Sequence, residues 1–164
     1  MKYYFKENFH FLYGDGQLYD EEGNVAYTFQ QKTVMFPEVH LYRDDVDLGF
    51  VATEFKILYR EYTLWMNGEK KETINSMLTL FRTHLFLTNS HWSINGSFMS
   101  LRYNIKNRKG DIVAIIDQEP FKATPCYYID ILDEENEVFI LLIVLIINLY
   151  NKASSNAAVS PPMP

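Results

Sequence analysis

Four histidines (His10, His40, His84, His91), one cysteine (Cys126) and the acids Asp44, Asp45 and Asp47 are the groups in this 164-residue chain with the chemistry to hold a metal or supply a nucleophile. A zinc site draws on ligands at short spacing, such as the two histidines of HExxH. The four histidines show no such pairing, so no metal site is expected. Cys126 follows Pro125 and precedes two tyrosines. Nothing near it in sequence would stabilise a thiolate, and it reads as a buried structural thiol. No serine sits in a GxSxG frame. "GDGQLYDEEG" has the glycines of a phosphate loop but no Lys or Ser/Thr after them. "DDVD" lacks the alternating oxygen ligands and closing Glu of a calcium loop and reads as a solvated turn. The expectation is therefore no catalytic, metal-binding or cofactor-binding residue, no cofactor, and a chain that is not an enzyme. A centre assembled from distant groups, with His91 beside Asp and Ser side chains, would be the alternative.

Elements to position such groups must come from a chain that is 48% hydrophobic and 16% aromatic. That length allows one domain to bury roughly 70% of its unfolded surface. Twelve Tyr and twelve Phe, with many Val, Ile and Thr, lean towards strands. The net charge of −6 opposes attraction to phosphate backbones, so nucleic acid is not an expected partner. Lys70-Lys71, flanked by Glu69 and Glu72, and Arg108-Lys109 read as solvated turns. One cysteine allows no internal disulfide, and "MKYYFKENFHFLYGDG" has no signal-peptide core. A cytoplasmic location is expected.

A weak repeat runs through the first half: Tyr13 and Leu18, Phe36 and Leu41, Tyr59 and Leu64, Phe81 and Phe86, each an aromatic followed five positions later by Leu or Phe. After the first three come "YDEEGN", "YRDDVDLG" and "WMNGEKKE", rich in the residues that hairpin turns require. Asn95-Gly96 gives a further two-residue hairpin signal, and "KNRKGD" separates two alternating segments. The count is roughly ten to twelve short strands, spaced as in a closed barrel or sandwich. From residue 153 to 164 the chain loses its large apolar residues and ends in Pro-Pro-Met-Pro, which predicts a disordered tail behind a domain of residues 1–152.

"VFILLIVLII", residues 138 to 147, is the longest apolar run. A bilayer-spanning helix needs about 20 such residues, so no transmembrane segment is expected. Six of the ten are β-branched and favour strand locally. The flanks favour helix: Asp133, Glu134, Glu135 and Glu137 crowd the start, where the helix dipole stabilises negative charge, and Lys152 follows the end. A helix over about 135–150 that is apolar on every side must be enclosed. Exposing ten large side chains would forfeit about 15–30 kcal/mol, more than a domain's net stability. Val138, Phe139, Leu141, Leu142, Leu145 and Ile146 are thus expected core residues of a structural helix.

"YYFKENF", "LYDEEGNVAY", "WSINGSF" with "YNIKNRKGDIVAII", and "YYIDILDEENEVFILLIVLIINLY" together resemble the LURP-one-related proteins of the tubby C-terminal-like superfamily, which also includes the phospholipid scramblases. The resemblance covers residues 2 to 150. It implies a mainly β fold, a barrel of about twelve strands wrapped round a hydrophobic C-terminal helix. It also implies a non-catalytic binding or scaffolding domain that recognises a protein or small ligand through its barrel surface or hairpin loops. The alternative is a module binding phospholipid or a membrane surface. Relative to its cousins the chain shows no basic pocket of the tubby type and no cysteine-rich lipidation segment of the scramblase type.

Overall fold

Strict alternation builds the wall of the fold. In "KYYFKEN" the residues Tyr3, Phe5 and Glu7 point inward and Lys2, Lys6 and Asn8 outward. A computed structural model describes residues 1–8, 14–56, 59–76, 83–97, 101–122 and 124–159. Its strands are β1 (Lys2–Asn8), β2 (Asp15–Tyr19), β3 (Val25–Gln31), β4 (Glu38–Arg43), β5 (Val46–Phe55) and β6 (Arg60–Met66). They continue with β7 (Glu69–Ser76), β8 (Thr83–Phe86), β9 (Ser93–Ser97), β10 (Arg102–Lys106), β11 (Ile112–Gln118) and β12 (Cys126–Ile131). A single turn of 3-10 helix, Glu134–Asn136, leads into α1 (Glu137–Val159). The fold is mainly β, as the alternation predicts.

All twelve strands lie in one antiparallel sheet ordered β7-β6-β5-β4-β3-β2-β1-β12-β11-β10-β9-β8. Its first and last strands meet through a bridge between Ile74 and Leu87. The backbone N–H of Thr88 donates to the carbonyl of Thr73 at 3.2 Å, and its hydroxyl donates to the same oxygen at 3.0 Å. The carboxylate of Glu72, 2% exposed, accepts the backbone N–H groups of Asn89 at 2.9 Å and Ser90 at 2.6 Å. These bonds close the sheet into a barrel at a seam that is only partly laddered.

Inside stands α1. Every residue from Ile140 to Asn151 is buried. A segment in the lumen of a closed sheet meets strands whose N–H and C=O groups are already bound to their neighbours. It must satisfy its own backbone internally, and only a helix does so. That requirement overrides the local strand preference of the β-branched run.

Polar turns close the hairpins where "DEEGN", "RDDV", "NGE" and "NRKGD" predict them. Asn67 and Gly68, with φ of 53° and 73°, take the left-handed conformation that a tight hairpin turn needs. The Asn95-Gly96 expectation is overturned, because both residues lie inside β9. Gly96 faces Tyr103 across the sheet, and an added Cβ would stand 2.2 Å from that ring. The glycine makes room for an aromatic rather than for a turn. The helix also differs from expectation: it begins at Glu137 and continues past Tyr150 to Val159, carried by good helix formers such as Ala153, Ala157 and Ala158. The helical segment Glu134–Ala153, 20 residues, is long and apolar enough to cross a membrane by length and composition, although 67% of its most apolar stretch is buried here. Residues 160–164, His10, Tyr13 and Phe81 lie outside the described residues.

Candidate functional site

Filling the lumen leaves two kinds of place for chemistry: the polar groups that hold the helix at its ends, and the outer wall. At the leading end, Glu137 accepts hydrogen bonds from the hydroxyls of Tyr3 and Tyr27, the latter at 2.5 Å, and pairs with Arg43 at 3.2 Å. The Arg43 guanidinium lies 4.3 Å from the centroid of the Tyr27 ring. Acids at a helix start are expected on dipole grounds, but Asp133 makes no side-chain cap. Glu137 instead ties the helix to β1, β3 and β4.

At the trailing end, Asn148, Asn151 and Lys152 share one helix face, since they are three and four residues apart. Glu7 of β1, 4% exposed, accepts from Lys152 and faces the Asn148 amide at 3.5 Å. Tyr127 of β12 donates to Asn148 at 3.2 Å and accepts from Asn151 at 3.2 Å. Tyr103 of β10 donates to Asn151 at 2.9 Å. Each buried polar group thus meets a partner, and the helix is fixed in rotation and depth. A carboxylate at an inward position of β1 was the signal in the sequence for this network.

Burial pushes the phenols of Tyr127 and Tyr103 above the ordinary tyrosine range. In the unfolded chain they ionise near pH 10. Their raised folded values contribute stability that is fully present below that pH and lost as the pH climbs above it. Melting temperature should therefore hold steady from pH 8 to about 9.5 and fall steeply by about pH 11. Tyr127→Phe should flatten the fall. A wild-type melting temperature unchanged at the alkaline end would mean that these phenols reach solvent.

On the outer wall, a cleft of about 390 Å³ is lined by Asn8, Asp15, Gln17, Thr28, Lys32 and Tyr42, among others. Its size falls in the lower range of small-molecule sites. Beside it runs a row of rings across β4, β5 and β6. His40 stacks on Phe50 with centroids 4.8 Å apart, and Phe50 stacks on Trp65 at 5.6 Å. The His40 ring is bracketed by carboxylates, with Nδ1 2.6 Å from Asp47 and Nε2 2.8 Å from Glu38. Amides, a hydroxyl, a phenol and charges of both signs in the cleft can hydrogen-bond a polar ligand, and the rings add stacking surface. No spacing along the chain marks this cleft, because its strand residues come from four strands.

The groups that opened the sequence analysis are dispersed. His84 on β8 contacts Asn95 at 2.5 Å, and His91 sits in the turn before β9, 6.0 Å from the Phe86 ring. Cys126 is buried and lies 3.6 Å from the Thr124 carbonyl. Among the described residues no three His, Cys, Asp or Glu side chains converge as metal ligands. Of the expected core residues, Leu141, Leu142, Leu145 and Ile146 are buried, while Val138 and Phe139 are partly buried at the leading end. Phe139 packs edge-on to Trp92 at 5.1 Å.

Neither the curated proteins nor the solved structures compared with the chain gave a match. The model of one protein family, described as LURP-one-related, does match, over residues 1–148. That span holds all twelve strands and the enclosed first half of α1, from the Glu137 anchor to Asn148. On a match over most of its length, taking in both the barrel and the helix that plugs it, the chain belongs to the LURP-one-related family.

Proposed function

We propose that this chain is a non-catalytic binding domain of the cytoplasm, presenting its recognition surface on the outside of a plugged barrel. The observation that carries this reading is the helix itself. With every residue from Ile140 to Asn151 packed in the lumen, the interior is not a ligand chamber of the kind an open barrel supplies. The polar cleft over β1 to β4 and the neighbouring His40, Phe50 and Trp65 rings are the place where a protein segment or small ligand would be held. Native mass spectrometry on protein purified gently from its own host tests this, with Thr28→Arg as the comparison. A mass retained by the wild type and lost from the variant supports the reading. A turnover activity abolished by one side-chain change overturns it, as does a mass carried equally by both proteins.

A second reading, binding at a lipid surface, is favoured by a separate observation: Val34, Met35 and Phe36 are exposed in succession in the connection after β3.

A further inference from the structure

Outward-facing residues of the first six strands form one continuous row. Pairing in register sets Asn8 of β1 beside Asp15 of β2, Asp15 beside Gln30 of β3, and Gln30 beside His40 of β4. The same pairing sets His40 beside Phe50 of β5 and Phe50 beside Trp65 of β6. At about 4.8 Å between strands the row is about 24 Å long. Its first half is polar and lies in the cleft, and its second half is the row of rings. A shorter row, Gln17, Thr28 and Tyr42, runs alongside at two residues, about 7 Å, further along the strands and forms the other wall of the cleft. The stacked rings are staggered, because centroids 4.8 and 5.6 Å apart exceed the contact distance of about 3.5–4.0 Å, and part of each face stays open.

We propose that this row binds a neutral carbohydrate chain, with sugar hydroxyls on the amides and hydroxyls of the cleft and the C–H faces of further sugar units on the His40, Phe50 and Trp65 rings. The inference rests on the reading of the cleft as the recognition surface and names what it recognises. Charge, backbone pairing and polarity select this class. Asp15 and Asp45 line the cleft and Glu38 and Asp47 flank His40, so a phosphate or carboxylate meets like charge. A cationic ligand meets a place already filled, since Lys32 Nζ donates to Gln30 Oε1 at 2.6 Å and lies 5.4 Å from the Tyr42 centroid. An extended peptide finds no edge to join, because β1 to β6 are each paired on both sides. A wholly apolar ligand would strip water from the amides of Asn8, Gln17 and Gln30 and return no hydrogen bond. What fits is an uncharged ligand dense in groups that both donate and accept, as the side-chain amides and the Thr28 hydroxyl do, and apolar on one face. A sugar has both properties, and a chain of sugars has the length of the row.

Titration of the isotope-labelled full chain with cellohexaose, maltohexaose and chitohexaose, followed through its amide resonances, tests the assignment, with glucose 6-phosphate and hexalysine as charged comparisons. At least one of the three neutral chains is expected to shift amides of β1 to β6 saturably, and to bind more tightly than glucose or N-acetylglucosamine, which occupy only part of the row. Gln30→Ala is expected to weaken that binding about fivefold, the worth of one hydrogen bond, and Trp65→Leu, at the far end, by a similar factor. Lys109→Ala, in the β10–β11 turn, is expected to leave it unchanged. Gln30 is exposed, so the melting curve of its variant should match the wild type. No saturable shift with any of the three chains overturns the proposal. If glucose 6-phosphate or hexalysine binds at the cleft instead, or if native mass spectrometry finds a charged metabolite that Thr28→Arg loses, the carbohydrate class falls while the reading of the cleft as a recognition surface stands. Saturable shifts that neither Gln30→Ala nor Trp65→Leu alters would put the sugar elsewhere and overturn the assignment to this row.

Discussion

Leu142→Asp is expected to abolish folding. Leu142 is fully buried at the centre of the enclosed stretch of α1, and its side chain lies against Gly49 of β5. Truncating a buried leucine costs about 2–5 kcal/mol. An ionised carboxylate with no partner at that depth adds several kcal/mol more. Together these match the whole net stability of a domain, about 5–15 kcal/mol. The variant should therefore be insoluble, or soluble without a cooperative melt by circular dichroism. Leu142→Met conserves volume and should cost less than about 1.5 kcal/mol. A Leu142→Asp protein that melts cooperatively near the wild-type temperature would mean that the helix does not need the lumen.

The second large effect is expected at the seam. Glu72→Ala removes the buried acceptor for two part-buried N–H groups, those of Asn89 and Ser90, and each donor left unsatisfied costs about 1–3 kcal/mol. For a chain of this size, a total of about 2–5 kcal/mol corresponds to a fall in melting temperature of about 5–15 °C. Glu72→Gln keeps an acceptor and should fall between the two. The loss should also be local. Hydrogen exchange should quicken first at Asn89, Ser90 and the facing residues of β7, while β1 and β12 on the far side stay protected. A uniform rise in exchange, or a shift below about 2 °C, would show that the barrel is closed by other contacts.

How much of this was legible in advance can be judged from particular residues. The turns at "DEEGN", "RDDV" and "NGE" were readable because turn chemistry is local: the residues that accept positive φ are the ones the turn uses. Asn95-Gly96 carried the same signal and misled, because what placed Gly96 in β9 was the Tyr103 ring on the next strand. The apolar run was legible as interior from its hydrophobicity alone. The cleft was not legible, since Asn8, Gln17, Thr28 and Tyr42 become neighbours only through pairing in register across four strands.

The sequence by itself determined which segments alternate, where most of the chain reverses, and that residues 138 to 147 must be shielded from water. These follow from side-chain hydrophobicity and backbone preference, which act over a few residues. Only the tertiary structure decided how the β-branched run would fold and what would hold it. A closed wall with no spare hydrogen-bonding groups made it a helix. Glu7, Tyr103 and Tyr127, distant in sequence, then met Asn148, Asn151 and Lys152, because a buried polar group is stable only where a complementary one lies within reach.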